Sequence, residues 1–267
     1  MELARSQGFD VTVDQYPYVA SSTTLDTALP TWVFGGGRDS LRIRLDDPAT
    51  RMRIKKEMVE ILSHKKLKNY SYAVISRFPP DSTLNGKNIS EVNLLKGRKP
   101  KPLHEAETIL ELVSAANRTQ MVFFSMNEDD LSRIMQYPFN MIASDAGINK
   151  FGSGMPHPRA YGTNARVLSR YVRQLKIVRL EEAIRRMTSL PAQKFRLTDR
   201  GLLREGMAAD IVIFDEATIT DNATFTNPHA YSTGFHKVIV NGQLVVDNNK
   251  HLGTRSGIVL KGPGAGR

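Results

Sequence analysis

The chain has 267 residues, 40% of them hydrophobic, and no cysteine, which allows a sizeable core in one or two domains but excludes disulfides and thiolate metal sites. Its net charge of +10 is concentrated, with 16 Lys and Arg against 7 Asp and Glu between Arg38 and Lys101, but that stretch has no zinc-finger spacing, glycine-aromatic RNA motif or basic zipper, so a solvated basic surface is expected rather than a nucleic-acid partner. No apolar run approaches the roughly 18 to 20 residues of a membrane span, and MELARSQGFDVTVD lacks a signal core, so a soluble, cytoplasmic protein with no membrane partner is expected.

In chain order, Asp10 to Tyr18 (DVTVDQYPY) places Val11 and Val13 on one face, the period of a strand, and Pro17 stops the ladder. Asp47 and Pro48 supply an N-cap and a first-turn proline, and Ile54, Met58, Ile61 and Leu62 share a face. This predicts a helix from Asp47 to about Lys66, closed by the cations of His64 to Lys68. A second helix, from about His104 to Arg118, carries Ile109, Leu112, Val113 and Ala116 and leads into a strand at Met121 to Met126.

Asn127 and Asp130 cap a short helix bearing Leu131, Ile134 and Met135, and Asn140 to Ser144 reads as another buried strand. Strands alternating with helices imply a parallel sheet. A glycine-rich loop (FGSGMPHPRAYG) follows, then helices at about Thr163 to Lys176, Leu180 to Met187 and Ala192 to Phe195. After Gly201 the pattern is strand-like: Asp210 to Phe214, Lys237 to Val240, and Gln243 to Asp247 beyond the hairpin signal Asn241-Gly242. A boundary near Leu197 to Gly201 therefore divides 1–200 from 201–267, and the tail KGPGAGR is expected to be disordered.

Asp145 is the first candidate for chemistry, because it ends an apolar strand where parallel α/β folds gather their sites, and a flexible loop follows it. A carboxylate there can bind a metal, or it can simply cap the next turn. The second candidate is the run His157 to Gly162, where prolines and glycines hold an irregular backbone. Its Arg159 offers a planar guanidinium for a substrate carboxylate, or for an ordinary surface acid. His157 is open to three readings: a metal ligand, a group supporting one, or a loop residue. Tyr16, Tyr18, Ser21 and Ser22 either line a pocket or, for the tyrosines, pack.

There is no P-loop, dinucleotide-binding glycine pattern, G-x-S-x-G elbow, HxH or HExxH pair, and His64, His104, His229, His236 and His251 read as isolated structural or solvent-facing residues.

Six segments occur in a recognisable order: DVTVDQYPYVASST, MIASDAG, HPRAYGT, EEAIRRMTSLPAQKF, DRGLLREGMAADIVIFD and VIVNGQLVVD. Essentially end to end, this set resembles the D-aminoacylases, the N-acyl-D-amino-acid deacylases of the amidohydrolase superfamily. The resemblance implies an α/β fold, the C-terminal part of a metal-dependent (β/α) barrel from about strand six to strand eight, followed by a partial β-sandwich. It further implies hydrolysis of N-acyl-D-amino acids, small-molecule substrates, by a zinc-activated water. Asp145 matches the family's metal-ligating aspartate that relays a proton to the leaving amine, and Arg159 matches the arginine that holds the substrate α-carboxylate. The sequence departs from the family at Ala146, where glycine is usual, and at Asn164-Ala165, where Phe-Pro is common.

Because the match begins at about the sixth barrel strand, the family's HxH pair, its middle-strand ligand and its fifth-strand histidine have no counterpart here. The expectation is a hydrolase segment that is incomplete without an N-terminal half. Its open sheet edges invite self-association or a complementary N-terminal polypeptide. The alternative is a non-catalytic remnant that serves as a binding or interaction module.

Overall fold

The computed structural model of the chain describes residues 1–116 and 118–263, so Asn117 and the end of the tail expected to be disordered, 264–267, lie outside the described residues. In chain order the strands are β1 (Val13–Gln15), β2 (Ser21–Thr24), β3 (Ala73–Arg77), β4 (Gln120–Phe123), β5 (Asn140–Ile142), β6 (Ile211–Phe214), β7 (Phe235–Val240), β8 (Gln243–Asp247) and β9 (Lys250–His251). They fall into two compact units. The first is built from Met1–Tyr18, Asn127–Ile148 and Pro158–Arg267, and the second from Val19–Met126 with Asn149–His157. The sequence boundary near Leu197 to Gly201 lies inside the first unit.

In the first unit β1 pairs with β5 in parallel, with Val13 opposite Asn140 and Gln15 opposite Ile142. The buried Asn140 side chain fixes this register by donating to the Gln15 side chain and to the Ile134 carbonyl. The preceding helix, Glu128–Met135, starts where the Asn127 side chain accepts from the Asp130 N–H at 2.7 Å. Leu131 and Met135 are buried, but Ile134 is exposed, contrary to expectation. One residue before Met135 on the helix it is rotated by about 100° from it, off the narrow stripe that this short helix buries.

The helix expected from Thr163 starts earlier, at Arg159, and after Arg166 widens into a π-helical stretch over Val167–Gln174, where the Leu175 N–H reaches back to the Arg170 carbonyl at 2.7 Å. The wide turn buries Leu168 and Tyr171, and the Tyr171 hydroxyl donates to Glu128 at 2.7 Å. Helices Leu180–Met187 and Ser189–Lys194 lead to an antiparallel sheet of order β6-β7-β8-β9. Asn241 and Gly242, at φ 49° and 77°, make the turn between β7 and β8 that their sequence predicts.

The second unit corrects the parallel-sheet expectation for residues 121–126. There β4 is the centre of an antiparallel sheet of order β2-β4-β3. Both partners escaped the sequence reading. The Ser-Ser-Thr-Thr of β2 has no apolar alternation and is held by the ladder and by a Ser22 hydroxyl bond to the Met121 carbonyl at 2.9 Å. The helix Pro48–His64 begins at its expected cap, with the Asp47 carboxylate accepting from the Thr50 N–H at 2.7 Å. Its Ile54, Met58 and Leu62 pack into one core with Ile75, Met121 and the helix Pro102–Ala115, which contributes Ile109 and Leu112. Ile61 is turned outward, at the rim of that face rather than on it. No helix among the described residues is long and apolar enough to cross a membrane.

Candidate functional site

Asp145 follows β5 by three residues, and Arg159 is the first residue of the helix Arg159–Arg166. The fold brings these two candidates together: Arg159 Nη2 bonds to Asp145 Oδ2 at 2.8 Å. Burial is very unequal, since the arginine side chain is 7% exposed and the aspartate 69%. Asp145 adopts a left-handed backbone, φ 47°, a conformation that Asp tolerates better than most residues. The Arg159 guanidinium also lies over the Tyr16 ring, 4.5 Å from its centroid. Burial pushes the Tyr16 phenol above its ordinary value, opposed by the Arg159 charge and reinforced by that of Asp145.

The arrangement is a buried cation bearing an exposed anion. A buried, stacked guanidinium presents its N–H fork in a defined plane, as a carboxylate ligand requires. A carboxylate mostly in water, by contrast, can exchange its partner at low cost.

Tyr18 is buried and packs edge-on to Phe225, with ring centroids 6.1 Å apart. Ser21 and Ser22 belong to β2, and Ser22 is engaged with the Met121 carbonyl. His157 is a buried residue of the second unit whose Nε2 meets the Ala20 carbonyl at 2.9 Å. His229, read as isolated, instead meets the Tyr161 hydroxyl through Nδ1 at 3.0 Å, a pairing across 68 residues that no local pattern announces. Sequence reasoning also missed Arg166 and Asp221, joined at 3.0 Å. For Arg166 alone, and not for its partner, the available signal was its seven-residue spacing from Arg159, which puts both on one helix face.

The family model described as the amidohydrolase family matches residues 81–246. The chain belongs to the amidohydrolase family. It is 37% identical over 199 residues to an N-acyl-D-aspartate deacylase of Alcaligenes xylosoxydans xylosoxydans, covering 74% of this chain and 37% of that protein. It is 33% identical over 251 residues to a D-aminoacylase of the same organism, covering 94% of this chain and 42% of that one. Its fold is similar to the crystal structure of an N-acyl-D-glutamate deacylase from Bordetella bronchiseptica complexed with zinc and a phosphonate mimic of the tetrahedral intermediate. There the TM-score is 0.65 at 30% identity, over 91% of this chain and 41% of that one. This amidohydrolase thus spans about two-fifths of the length of the curated relatives it matches.

A protein-held catalytic zinc takes about three side-chain donors and keeps one position open. Among the described residues no three His, Asp or Glu side chains gather into a group able to hold a metal ion, and Asp145 has its Oδ2 engaged by Arg159. The donors present in this amidohydrolase chain do not by themselves fit zinc.

Proposed function

We propose that this chain is a hydrolase segment of the D-aminoacylase type, acting on the amide bond of an N-acyl-D-amino acid. The observation that carries this reading is the convergence of Asp145 and Arg159, fourteen residues apart in sequence, into one ion pair at the end of a parallel strand. Arg159 binds the α-carboxylate of the substrate. Asp145 accepts a proton as water adds to the amide carbon and returns it to the nitrogen as the C–N bond breaks, so the carboxylate is regenerated. The deacylase names of the relatives support the substrate class.

Residues 1–200 are read as part of an amidohydrolase barrel, to which β1 and β5 contribute neighbouring strands, and residues 201–267 as a β-sandwich segment. The parallel β1–β5 register and the antiparallel order β6-β7-β8-β9 support this division. Zinc is the expected cofactor, as in the Bordetella structure, with Asp145 as the donor among these residues and the remaining ligands from outside them. A second reading, a non-catalytic binding module, is favoured by the incomplete donor set.

One reconstitution separates the two. Zinc content and hydrolysis of N-acetyl-D-glutamate are measured for the chain alone and mixed with the N-terminal portion of the Alcaligenes D-aminoacylase. Zinc retention and turnover in the mixture, abolished by Asp145→Ala, support the hydrolase. Absence of turnover in both samples leaves the binding module.

A further inference from the structure

The arginine of the candidate site has a counterpart seven residues on, at Arg166, on the same helix face. Each of the two lies over a tyrosine, Arg159 at 4.5 Å from the Tyr16 centroid and Arg166 at 4.9 Å from that of Tyr18. Each also holds a carboxylate: Arg159 that of Asp145 at 2.8 Å, Arg166 that of Asp221 at 3.0 Å. The two sets differ in closure. Asp145 is 69% exposed, whereas Asp221 is 11% exposed, and its second oxygen accepts from the Ser169 hydroxyl at 2.8 Å.

The closed set grips the segment that supports the open one. Arg166 Nε donates to the Pro17 carbonyl at 2.8 Å, between the two tyrosines, in a tight turn where the Tyr18 N–H reaches the Tyr16 carbonyl at 3.0 Å. The Tyr18 hydroxyl donates to the Pro158 carbonyl at 3.4 Å, immediately before Arg159. Gly162 shows how close this packing is: a Cβ there would stand 2.7 Å from the Tyr18 hydroxyl oxygen and 3.2 Å from Asp221 Cβ. A side chain at this position would push the helix away from both.

We propose that Arg166 and Asp221 are positioning residues: their closed ion pair locks the Tyr16–Pro17–Tyr18 turn against the helix and so keeps Tyr16 beneath Arg159, presenting its guanidinium in one orientation to an incoming carboxylate. The inference rests on the proposed function for the identity of that carboxylate, the α-carboxylate of an N-acyl amino acid. Its physical basis is preorganisation. A guanidinium stacked on a ring offers its fork in a fixed plane, whereas an unstacked one spreads over rotamers and loses the bidentate geometry.

The test uses the full chain and two readouts. The first is the nitrogen-15 resonance of the Arg159 side-chain Nε–H, assigned by its loss in Arg159→Lys and displaced by the Tyr16 ring current. In Arg166→Lys and Asp221→Asn this resonance moves to the position of a solvent-exposed arginine. Ser169→Ala, which removes one of the two bonds to Asp221 and spares the ion pair, moves it part of the way and guards against variants that fail to fold. The second readout is calorimetric affinity for N-acetyl-D-alanine against its carboxamide. The Arg166 and Asp221 variants lose about tenfold for the acid and nothing for the amide.

Folded Asp221→Asn and Ser169→Ala chains that keep the Arg159 resonance in place would overturn the proposal. A wild-type resonance that depends on Asp221 but comes with no preference for the acid keeps the positioning role and sinks the hydrolase reading.

Discussion

Asp145 and Arg159 form an ion pair, Oδ2 lying 2.8 Å from Nη2, at the place where the proposed function puts a substrate carboxylate. An ion pair with one member 69% exposed is worth no more than about 1 kcal/mol, so exchanging the internal carboxylate for an external one is cheap. Asp145→Asn is therefore expected to strengthen binding of N-acetyl-D-alanine by up to about fivefold, the equivalent of that energy, while abolishing turnover in the reconstituted hydrolase. Calorimetry on the two chains checks the first half, and weaker binding in the Asn chain would contradict it.

Acid sensitivity is expected from Glu182. The Arg185 hydrogen bonds, assisted by Arg186 and opposed by partial burial, hold its pKa at about 2, below the ordinary 4.5. A carboxylate with a depressed folded-state pKa adds stability above its unfolded value and loses it as the pH falls toward the folded one. Glu182→Gln should therefore lower the melting temperature at pH 7 and bring the two melting curves together between about pH 4.5 and about pH 2. A gap that stays constant with pH would refute the assignment.

Ile109 is fully buried in the core of the second unit, on the helix Pro102–Ala115. Ile109→Ala removes that contact and leaves a void, a loss of about 2–5 kcal/mol. Urea unfolding should show the midpoint displaced to lower denaturant with the slope preserved.

Asn88 and Glu91 form a capping box, with the Glu91 N–H donating to Asn88 Oδ1 at 2.9 Å and the Asn88 N–H to Glu91 Oε2 at 2.7 Å. Asn88→Ala is expected to cost about 1 kcal/mol, and Asn88→Asp far less because it keeps the acceptor. Paired denaturation curves for the two variants decide the matter, since equal losses would exclude a capping role.

Features set by neighbours along the chain were legible in the sequence. The Asp47–Pro48 start of a helix, the Asn127 cap and the Asn241-Gly242 turn all stand where their residues predict, because each depends on a hydrogen bond or a φ value within a few positions. The two site candidates could also be picked singly, Asp145 by its place after an apolar strand and Arg159 by the Pro- and Gly-rich run around it, although that run enters a helix at Arg159 rather than staying irregular. The partnerships were left to the tertiary structure: β4 with the polar β2, His229 with Tyr161, and Arg166 with Asp221 across fifty-five residues. These bonds form only after long loops have closed, and they are selected by the shape of the packed chain. No local period or spacing encodes them, which is why two residues legible one at a time became a single ion pair only in the fold.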